Sequence, residues 1–533
     1  MASTYERLRE KNIKERLDML RSLDLIGESS HLSKIIPEKP KKIRDKPKRL
    51  RSDQPLPLRR SLRLQKAAPR LSLQQSDELL LTVHENQDHV WRPEIPHGPL
   101  ALSDATLRIQ LASSLDLTDE DVIDWLREGL RFEDRDEFEK PRKGPSKWTW
   151  AADDPTELKA QLQSMRWSTP SGNIQGEKMV SGRIFSLCML PCGDLGSRFV
   201  LAAGDKSGQL GLCGFEFDCG NSGNVPSSLS DSDPVQSADS PICLRNPVSM
   251  SFQPHSGPIT CLAVDPFSAN SGSSCGCYPW LYSTGYDGSL RRLDLEKQIF
   301  DEVCDLDVLA GRYLTFLSRE TLVIGTQDGG YGFLRILDCR QDSKRRNLVK
   351  CKIRPDSTKR IKTVHCHPVN SNLIVVSEGQ NASIFDVRSL SSGRASSPLS
   401  TSAHGGTVHS AFFSPIQGGR LLTCDSSNYI CVFEVSSGGE TMVLESKIRH
   451  DNITGRWLTN FQPNWHPQSD EFFHSGSMLH PRRVELWSAS KGRLVTNLSG
   501  VSSVSSINAM HPQVPVLAGG SSSGRVHVWA APF

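Results

Sequence analysis

The sequence has 533 residues, 37% of them hydrophobic, with 40 glycines and 32 prolines. This length exceeds one typical core, and the many turn-forming residues favour a β-rich fold with irregular extensions. No apolar run approaches the roughly 18–20 residues that cross a bilayer, and the charged first residues lack a signal peptide's apolar core. The sequence therefore predicts no membrane contact and a location inside the cell.

The formal net charge of +3 hides two unlike regions. Residues 1–70 carry 20 Lys and Arg against 9 Asp and Glu, whereas the remaining residues carry 43 against 51. This asymmetry predicts a basic extension attached to a near-neutral folded body.

The N-terminal extension divides into three parts. Residues 4–25 space their leucines helically, which predicts an amphipathic helix within 1–30. We assign 31–115 to a basic, largely disordered linker, because 34–66 hold 13 basic residues and several prolines. Residues 116–177 form a helical or irregular lead-in. The linker either only solvates the chain or acts as a phosphate-binding tail or nuclear localisation signal. That signal would comprise Lys41, Lys42, Lys46, Lys48 and Arg49.

A repeat fills the chain from about residue 178. Apolar stretches end in a residue-Pro turn, as in "VHCHP", "NWHP" and "NAMHP", and later strand-like runs end in pairs such as "RRLD", "RILD" and "SIFD". These strand ends recur every 42 to 54 residues. A period of about 40–50 residues with several strands per unit is typical of WD-repeat β-propeller blades.

Seven units are countable, starting near residues 183, 257, 305, 360, 405, 455 and 505. We therefore predict an all-β, seven-bladed WD-repeat β-propeller over 178–533, with a partly disordered basic extension. The chain ends after a third strand, so an earlier segment around 177–180 should supply the missing outer strand of the last blade. Residues 217–254 are interpreted as an insertion between blades one and two.

The sequence contains no motif for catalysis, a cofactor or a metal. All 14 cysteines lie beyond residue 187 without the spacing of a zinc site, which favours buried, reduced thiols. His367, His466 and His511 each precede a proline at equivalent repeat positions, so they belong to blade turns rather than to an acid-base site. We predict that the protein is not an enzyme and that it binds no metal or cofactor.

Two features point to a polyanion. Residues 344–362 carry nine basic residues and one acidic residue, and form either a solvated loop or a basic rim. Residues 451–460 form an inter-blade loop with a Gly-Arg-Trp tip. An Arg beside a large apolar ring is suited to wedging between bases, although Trp457 could equally cap a blade.

These features resemble a known family. "GDKSGQLGL", "LYSTGYDGSLRRLD", "HDNITGRWLTNFQPNWHP" and "LRRSLRLQ" are similar to the family of WD-repeat propellers that comprises WD repeat-containing protein 76 and the damage-specific DNA-binding subunits. The resemblance implies a propeller face that binds DNA and a hairpin that enters the minor groove at a lesion. It implies DNA contacts from Arg183, Lys206, Arg360, Lys362, Asn452, Arg456 and Trp457. The hairpin tip differs from that of the damage-specific subunit, so the preferred lesion does not carry over.

The same resemblance gives a meaning to "SIFDVR". An aromatic-Asp-x-Arg pattern looks like the box by which propellers dock on the adaptor of a cullin-4 ubiquitin ligase. Phe385 would take the place of the usual Trp, Asp386 would hold the loop and Arg388 would reach the adaptor. Alternatively, Arg388 is an ordinary solvent-facing residue. "LDCR" at 337–340 is a fainter second copy.

The leading hypothesis is a nuclear DNA-binding propeller of the DNA damage response. It would bind damaged or altered duplex DNA and chromatin proteins, and would serve as a substrate receptor of a cullin-4 ligase. The alternative is a scaffold that binds histones or other chromatin proteins without recognising DNA, its basic tail acting only as a nuclear address.

Overall fold

The structure is a computed structural model. It describes residues 95–107, 118–131, 149–168, 176–191, 198–217, 244–267, 278–306, 310–328, 331–340, 348–353, 360–390 and 395–531. The chain divides into two units, Met1–Ser72 and Leu73–Phe533, and every described residue belongs to the second. The predicted N-terminal helix, the segment with Lys41, Lys42, Lys46, Lys48 and Arg49, and the "RRSLRLQ" patch lie outside the described residues.

The described residues form the predicted seven-bladed β-propeller, with one antiparallel sheet per blade. Ahead of the blades come β1 (Leu100–Ala101), α1 (Leu102–Ala105), β2 (Thr106–Leu107), α2 (Asp119–Leu130), α3 (Pro155–Ser164), β3 (Arg166–Trp167) and β4 (Glu177–Lys178). Blade 1 comprises β5 (Ile184–Leu190), β6 (Arg198–Asp205), β7 (Leu210–Phe217) and β8 (Leu244–Phe252), and blade 2 comprises β9 (Ile259–Val264), β10 (Leu281–Gly285), β11 (Ser289–Asp294) and β12 (Ile299–Asp305). Blade 3 comprises β13 (Ala310–Ser318), β14 (Thr321–Asp328), β15 (Tyr331–Asp338) and β16 (Leu348–Lys352), and blade 4 comprises β17 (Ile361–Cys366), β18 (Leu373–Glu378), β19 (Asn381–Asp386) and β20 (Ser400–Ala403). Blade 5 comprises β21 (Val408–Phe413), β22 (Arg420–Asp425), β23 (Tyr429–Val435) and β24 (Met442–Arg449), and blade 6 comprises β25 (Asn464–Trp465), β26 (Phe472–Gly476), β27 (Val484–Ser488) and β28 (Arg493–Leu498). Blade 7 comprises β29 (Ser505–Met510), β30 (Val516–Ser521) and β31 (Arg525–Ala530), and a 3-10 helix spans Val387–Ser389.

Burial along the strands follows from their position in the ring. The first strands of neighbouring blades contact one another from blade 7 through blade 1 to blade 5. The second strand of a blade lies between two neighbouring blades, and every residue of β18 is accordingly buried. The outer strand β24 instead has exposed residues along most of its length. The propeller core is therefore a series of apolar layers between blades, and each layer needs both of its neighbours.

Two blade boundaries differ from the prediction. Residues 244–252, which we assigned to an insertion, form β8 and complete blade 1. Val248, Met250 and Phe252 alternate with polar residues and are buried, which is the period of a strand. Blade 6 begins at Asn464 rather than near residue 455, because the preceding residues form a long loop without regular structure.

The last blade is completed by chain that precedes the first blade. Glu177–Lys178 pairs with β31, as the sequence predicted, and Arg166–Trp167 pairs with the other end of the same strand. Between them, Ser168 N–H donates to Val528 C=O at 2.9 Å. The outer strand of blade 7 is therefore made of two separate pieces, which close the ring.

A segment from the predicted linker adds a fifth strand to two blades. Residues 100–101 pair with β12 of blade 2, and 106–107 pair with β8 of blade 1. The guanidinium of Arg291, which is 2% exposed, donates to the Pro96 carbonyl at 2.7 Å and the Gly98 carbonyl at 3.2 Å. The apolar side chains of Leu100, Leu102 and Ala105 are buried, and they hold this part of the predicted linker on the blades.

Both longer helices of the lead-in pack on the propeller. Helix α2 begins with a capping box between Thr118 and Asp121, and its Trp125 ring lies against Gly214, where a Cβ atom would clash with the ring. Helix α3 begins at its N-cap Asp154 and buries Leu158 and Leu162 in an apolar cluster that includes residues of blades 6 and 7. The lead-in is thus part of the folded body, with α2 on blade 1 and α3 beside blades 6 and 7.

The three residue-Pro histidines do stabilise turns. Nδ1 of His466 accepts the Gln468 N–H at 3.1 Å, and Nδ1 of His511 accepts the N–H groups of Gln513 and Val514, both at 3.1 Å. His367 accepts two backbone N–H groups in the same way. Because Nδ1 accepts in each case, the neutral ring carries its proton on Nε2.

These histidines predict a pH dependence of stability. Burial lowers the pKa of His466 and of His511 to about 3, so both stay neutral when folded but take up a proton below about pH 6.5 when unfolded. The unfolded state therefore binds more protons between pH 6.5 and pH 3, and stability falls as the pH falls through this window. By pH 5 each histidine should cost about 2 kcal/mol.

Urea denaturation followed by circular dichroism at pH 7 and pH 5 measures this loss. His466→Asn with His511→Asn keeps an acceptor for the turn but removes the proton site, so the double variant should lose less stability between the two pH values. An equal loss in both proteins would show that other groups cause the acid sensitivity.

Candidate nucleic-acid interface

The predicted DNA-contacting residues lie at one end of the propeller. Since strands within a blade are antiparallel, the loop entering a blade and the turn between its second and third strands lie at the same end. We call this end the upper face and the opposite end the lower face. Arg183 precedes β5, Lys206 follows β6, Arg360 and Lys362 lie at the start of β17, and residues 452–457 lie in the loop entering blade 6.

That loop, residues 451–463, is here named the tip loop. It contains a turn at Gly455, Arg456 and Trp457, but no strand pair, so it is not the β-hairpin implied by the resemblance. Gly455 has a φ of +62°, a value that a glycine adopts without strain. Trp457 is 73% exposed, and the guanidinium carbon of Arg456 lies 4.6 Å from the centre of its ring. The tip therefore presents a large apolar ring and a positive charge together.

Asn452 anchors the loop and is unavailable to a ligand. It is 1% exposed, and its Nδ2 donates to the carbonyls of Asp425 at 2.8 Å and Tyr429 at 3.1 Å. Its Oδ1 lies 2.7 Å from Nδ1 of His450, and its backbone N–H donates to Oδ1 of Asn428 at 2.9 Å. The side-chain amide and the backbone N–H of Asn452 thus fix the loop to blade 5 and its edge, which favours an anchoring role over the predicted contact with DNA.

The far side of the tip loop is fixed to blade 1. The Arg183 guanidinium donates to the Arg456 carbonyl at 2.7 Å and lies over the Phe185 ring at 4.8 Å. The Thr459 hydroxyl donates to the Ile184 carbonyl at 2.7 Å. Burial lowers the pKa of Arg183, but an arginine remains protonated at neutral pH. Arg183 thus holds the tip through the Arg456 carbonyl, and its guanidinium keeps its positive charge at the upper face.

The cations of the upper face differ in exposure. Lys206 and Arg456 are exposed, whereas Arg183, Arg360 and Lys362 are partly buried. Residues 344–347 and 354–359 of the predicted basic rim lie outside the described residues. The exposed cations thus come from different blades, and Arg456 stands beside the tip ring.

Sequence reasoning missed two exposed apolar residues of this face. Ile453 is exposed in the tip loop, and Leu479 is exposed in the turn between the second and third strands of blade 6. Each of the two loops also packs a second apolar side chain, Leu458 in one and Met478 in the other, against the apolar cluster that contains Phe461. An apolar residue within each polar turn was the available signal for both.

The lower face carries the predicted aromatic-Asp-x-Arg motif. Phe385 is buried, and the Arg388 side chain, 71% exposed, folds back so that Nη2 lies 2.7 Å from the Asp386 carboxylate. Hydrogen bonds from Arg388 hold the pKa of Asp386 below its usual range. Arg388 thus presents the outer side of a guanidinium whose position is fixed by a carboxylate.

Blade 3 repeats this arrangement in its fainter copy of the motif. Nη2 of Arg340 lies 2.6 Å from the Asp338 carboxylate, and hydrogen bonds from Arg340 lower the pKa of Asp338 to about 2. Two neighbouring blades therefore hold an arginine at the lower face in the same way.

Within the described residues, no group of three or more His, Cys, Asp or Glu side chains is arranged to hold a metal ion. The nine cysteines in this part of the chain are free thiols. No described helix has the length and apolar character needed to cross a membrane.

Comparison with known proteins identifies the family. The chain is 33% identical to WD repeat-containing protein 76 of Xenopus laevis, over 99% of this chain and 80% of the relative, and 31% identical to the protein of that name from Mus musculus, over 99% and 74%. The chain belongs to the WD repeat-containing protein 76 family. This confirms the resemblance drawn from the blade motifs.

The chain is also similar to proteins outside the WD repeat-containing protein 76 family, at lower identity. The chain is 23% identical to DNA damage-binding protein CMR1 of Phaeosphaeria nodorum, over 99% of this chain and 98% of that protein. Among solved structures, the β-propeller domain of Cps50 (Swd1) from Myceliophteria thermophila aligns with a TM-score of 0.47 and 13% identity, over 66% of this chain and 98% of that one. No protein-family model matches the chain.

The anchor role of Asn452 is testable. Asn452→Ala should make amide hydrogen exchange in residues 453–459 faster by about tenfold or more, since losing a buried hydrogen bond costs about 1–3 kcal/mol. Asp451→Ala is the matched control, because Asp451 is exposed and accepts one N–H, from Ile453 at 3.1 Å. Equal exchange in the wild type and the Asn452 variant would refute the anchor role.

Proposed function

We propose that the upper face binds duplex DNA and that the tip loop recognises damaged or otherwise altered sites. The observation that carries this proposal is the geometry of the tip: Trp457 projects into solvent with Arg456 over its ring, while the base of the loop is fixed by hydrogen bonds. A large exposed apolar ring on a rigid support is suited to insertion between bases.

A wedge of this kind favours weakened sites. Insertion requires neighbouring bases to unstack, which costs a few kcal/mol in intact duplex and less where a base is damaged or missing. The preference would thus arise from the DNA's deformability, without a pocket for one particular lesion. The names of relatives in several fungi, which are DNA damage-binding proteins, support the same class of ligand.

Affinity would come mainly from phosphate contacts. Lys206 and Arg456 are exposed at the upper face, and Arg183, Arg360 and Lys362 lie at strand ends of the same face. Cations that displace counterions from phosphates give binding that weakens steeply with salt. The proposed setting is the nucleus, with the basic segment around Lys46 as the address, and no catalytic step is assigned.

A scaffold for histones or other chromatin proteins is the competing function. In that case, DNA binding would depend on the basic extension and not on the propeller. Charge substitutions in the extension and in the tip loop therefore separate the two functions in the full-length chain.

The DNA proposal predicts a specific pattern of affinities. In fluorescence anisotropy with the full chain, Trp457→Ala should weaken binding to a duplex containing one abasic site by about tenfold, since a base–aromatic stack contributes about 1–3 kcal/mol. Intact duplex should be affected less. Lys206→Glu should weaken both duplexes and reduce the salt slope by about 1.

Leu494→Ala is the control for Trp457→Ala, because Leu494 is an exposed apolar residue on the outer strand of blade 6. If Lys46→Glu with Lys48→Glu abolishes binding while the tip variants bind as the wild type does, the DNA proposal fails and the scaffold function is favoured.

We further propose that the lower face docks on the adaptor of a cullin-4 ubiquitin ligase. The specific observation in favour is the paired geometry at Asp338–Arg340 and Asp386–Arg388 on adjacent blades. Each carboxylate orders its arginine before binding, which reduces the entropy lost at an interface. Nη1 of Arg340 also lies 3.3 Å from the Glu320 carboxylate, whereas the ion pair of Arg388 is with Asp386, through Nη2. The outer N–H groups of Arg388 are therefore the better placed to donate to carbonyls or carboxylates of a partner.

Apolar residues beside these arginines strengthen the docking proposal. Val369, which is 72% exposed, and Ile416, also exposed, occupy the turns between the first and second strands of blades 4 and 5. These turns lie at the same end as Arg388. An arginine flanked by exposed apolar residues is typical of a protein–protein interface.

The docking proposal is tested with the purified ligase adaptor. Arg340→Glu with Arg388→Glu should weaken binding by at least tenfold in surface plasmon resonance, because a like charge is placed where a hydrogen-bond donor is needed. Lys491→Glu, an exposed lysine in a lower-face turn of blade 6, should bind as the wild type does. Undiminished binding by the double variant would exclude docking through this motif.

A further inference from the structure

A cavity of about 170 Å³ lies between blades 4 and 5. It is lined on one side by Ala403 and His404, which end blade 4 and begin the next loop, and on the other by blade 5. The blade 5 residues include Tyr429, Cys431, Phe433, Leu444 and Lys447. An engineered cavity of about 150 Å³ binds benzene, so this space suffices for one large apolar side chain.

The cavity lies beside two outer strands of unequal length. The outer strand of blade 4 has 4 residues, whereas that of blade 5 has 8. We call this space at the perimeter of the ring the groove. Leu444 is exposed at its edge.

The groove changes from apolar to cationic along its length. In the register of blade 5, Phe433 stands opposite Leu444, Cys431 opposite Lys447, and Tyr429 opposite Arg449. Opposed residues in an antiparallel pair share a face, so all three pairs face blade 4. The end nearest the lower face is therefore apolar, and the end nearest the upper face carries two cations.

Neither cation is neutralised within the described part of the chain. Lys447 lies 4.0 Å from the centre of the Tyr429 ring, and no ion pair joins Lys447 or Arg449 to a described carboxylate. The nearby Glu445 is already paired with Arg420 at 2.7 Å. The two cations therefore lack an ion-pair partner among the described residues, and the Asp425 carboxylate, which also lines the cavity, is buried beside His404 at 3.1 Å.

A buried histidine in the groove also lacks one partner. His404 is 3% exposed on its side chain; its Nδ1 donates to the Asp425 carboxylate at 3.1 Å, and its Nε2 is buried without a hydrogen-bond partner. A neutral His404 thus has a bare acceptor on Nε2. A buried acceptor without a donor is costly, so the site favours a ligand that supplies an N–H.

In blade 2 the equivalent histidine has a hydrogen-bond partner on both ring nitrogens. His255, at the equivalent position, places its Nε2 2.8 Å from the Ser283 hydroxyl while Nδ1 faces Asp287. In blade 5 the corresponding hydroxyl, that of Thr423, donates instead to the Cys431 carbonyl at 3.3 Å. His404 therefore lacks the hydroxyl partner that His255 has in blade 2.

We propose that this groove binds a linear peptide in which a large apolar residue stands beside acidic residues. The apolar side chain lies between Phe433 and Leu444, a backbone N–H of the peptide donates to Nε2 of His404, and the carboxylates pair with Lys447 and Arg449. Charge and apolar surface thus select the peptide together. The groove borders the anchor of the tip loop, because Asn452 donates to the carbonyls of Asp425 and Tyr429, and it is separate from the lower-face arginines.

Anisotropy with labelled peptides tests this proposal on the full-length protein. The probes are two fluorescein-labelled peptides that carry a Leu-Phe pair with three aspartates either before or after it. At least one should bind the wild type, and Lys447→Glu should weaken that binding by about tenfold. A peptide with lysines in place of the aspartates should bind Lys447→Glu better than it binds the wild type.

Val443→Glu is the matched control. Val443 is exposed on the opposite face of the same outer strand, so this variant should bind the acidic peptide as the wild type does. Leu444→Ser should weaken binding without any change of charge. The proposal is overturned if neither acidic peptide binds at millimolar concentration, or if Lys447→Glu weakens binding to duplex DNA but not to the peptide.

Discussion

The pairing of the last strand with residues from before the first blade is the constraint on which the propeller depends. Each blade has two apolar faces that are covered only by its neighbours, so an open ring would expose one face of blade 1 and one of blade 7. Both pieces of the closing strand are two residues long, and each contributes few hydrogen bonds alone. Helix α3 and the apolar cluster around Trp529 add the contacts that such short strands lack.

Ring closure also determines where the upper face carries its tip. Arg183 follows the closing piece Glu177–Lys178 by five residues, and its guanidinium supports the carbonyl of Arg456. The tip loop leaves blade 5 and is held by blade 1, across the junction where the chain closes. If the closing strand pairs less firmly, the position of Arg183 and hence the support of Trp457 should change as well, although the closing strand and Trp457 are far apart in sequence.

Much of the architecture is predictable because propeller repeats constrain residues locally. A residue-Pro turn after an apolar run, or an Asp at a strand end, each reports a turn within a few residues, so strand ends such as Asp294 and Asp386 were located from the sequence. The site is less predictable, since exposure depends on distant partners. Asn452 reads as a polar loop residue, yet four groups from blade 5 and its edge surround it. The strands at 100–101 and 106–107 are too short to show a period, and the groove at Leu444 forms between two blades, which the pattern within either blade does not report.

The added strands at residues 100–107 make the outer edges of blades 1 and 2 different from those of the other blades. Seven similar blades around an axis would otherwise offer a partner several nearly equivalent perimeters, each with the free backbone groups of an outer strand. On blades 1 and 2 those groups are already paired with the chain itself, and Arg291 secures the connection. A partner that approaches from the side therefore meets a closed sector and an open one. A partner that would add a strand to the perimeter is therefore excluded from these positions on blades 1 and 2.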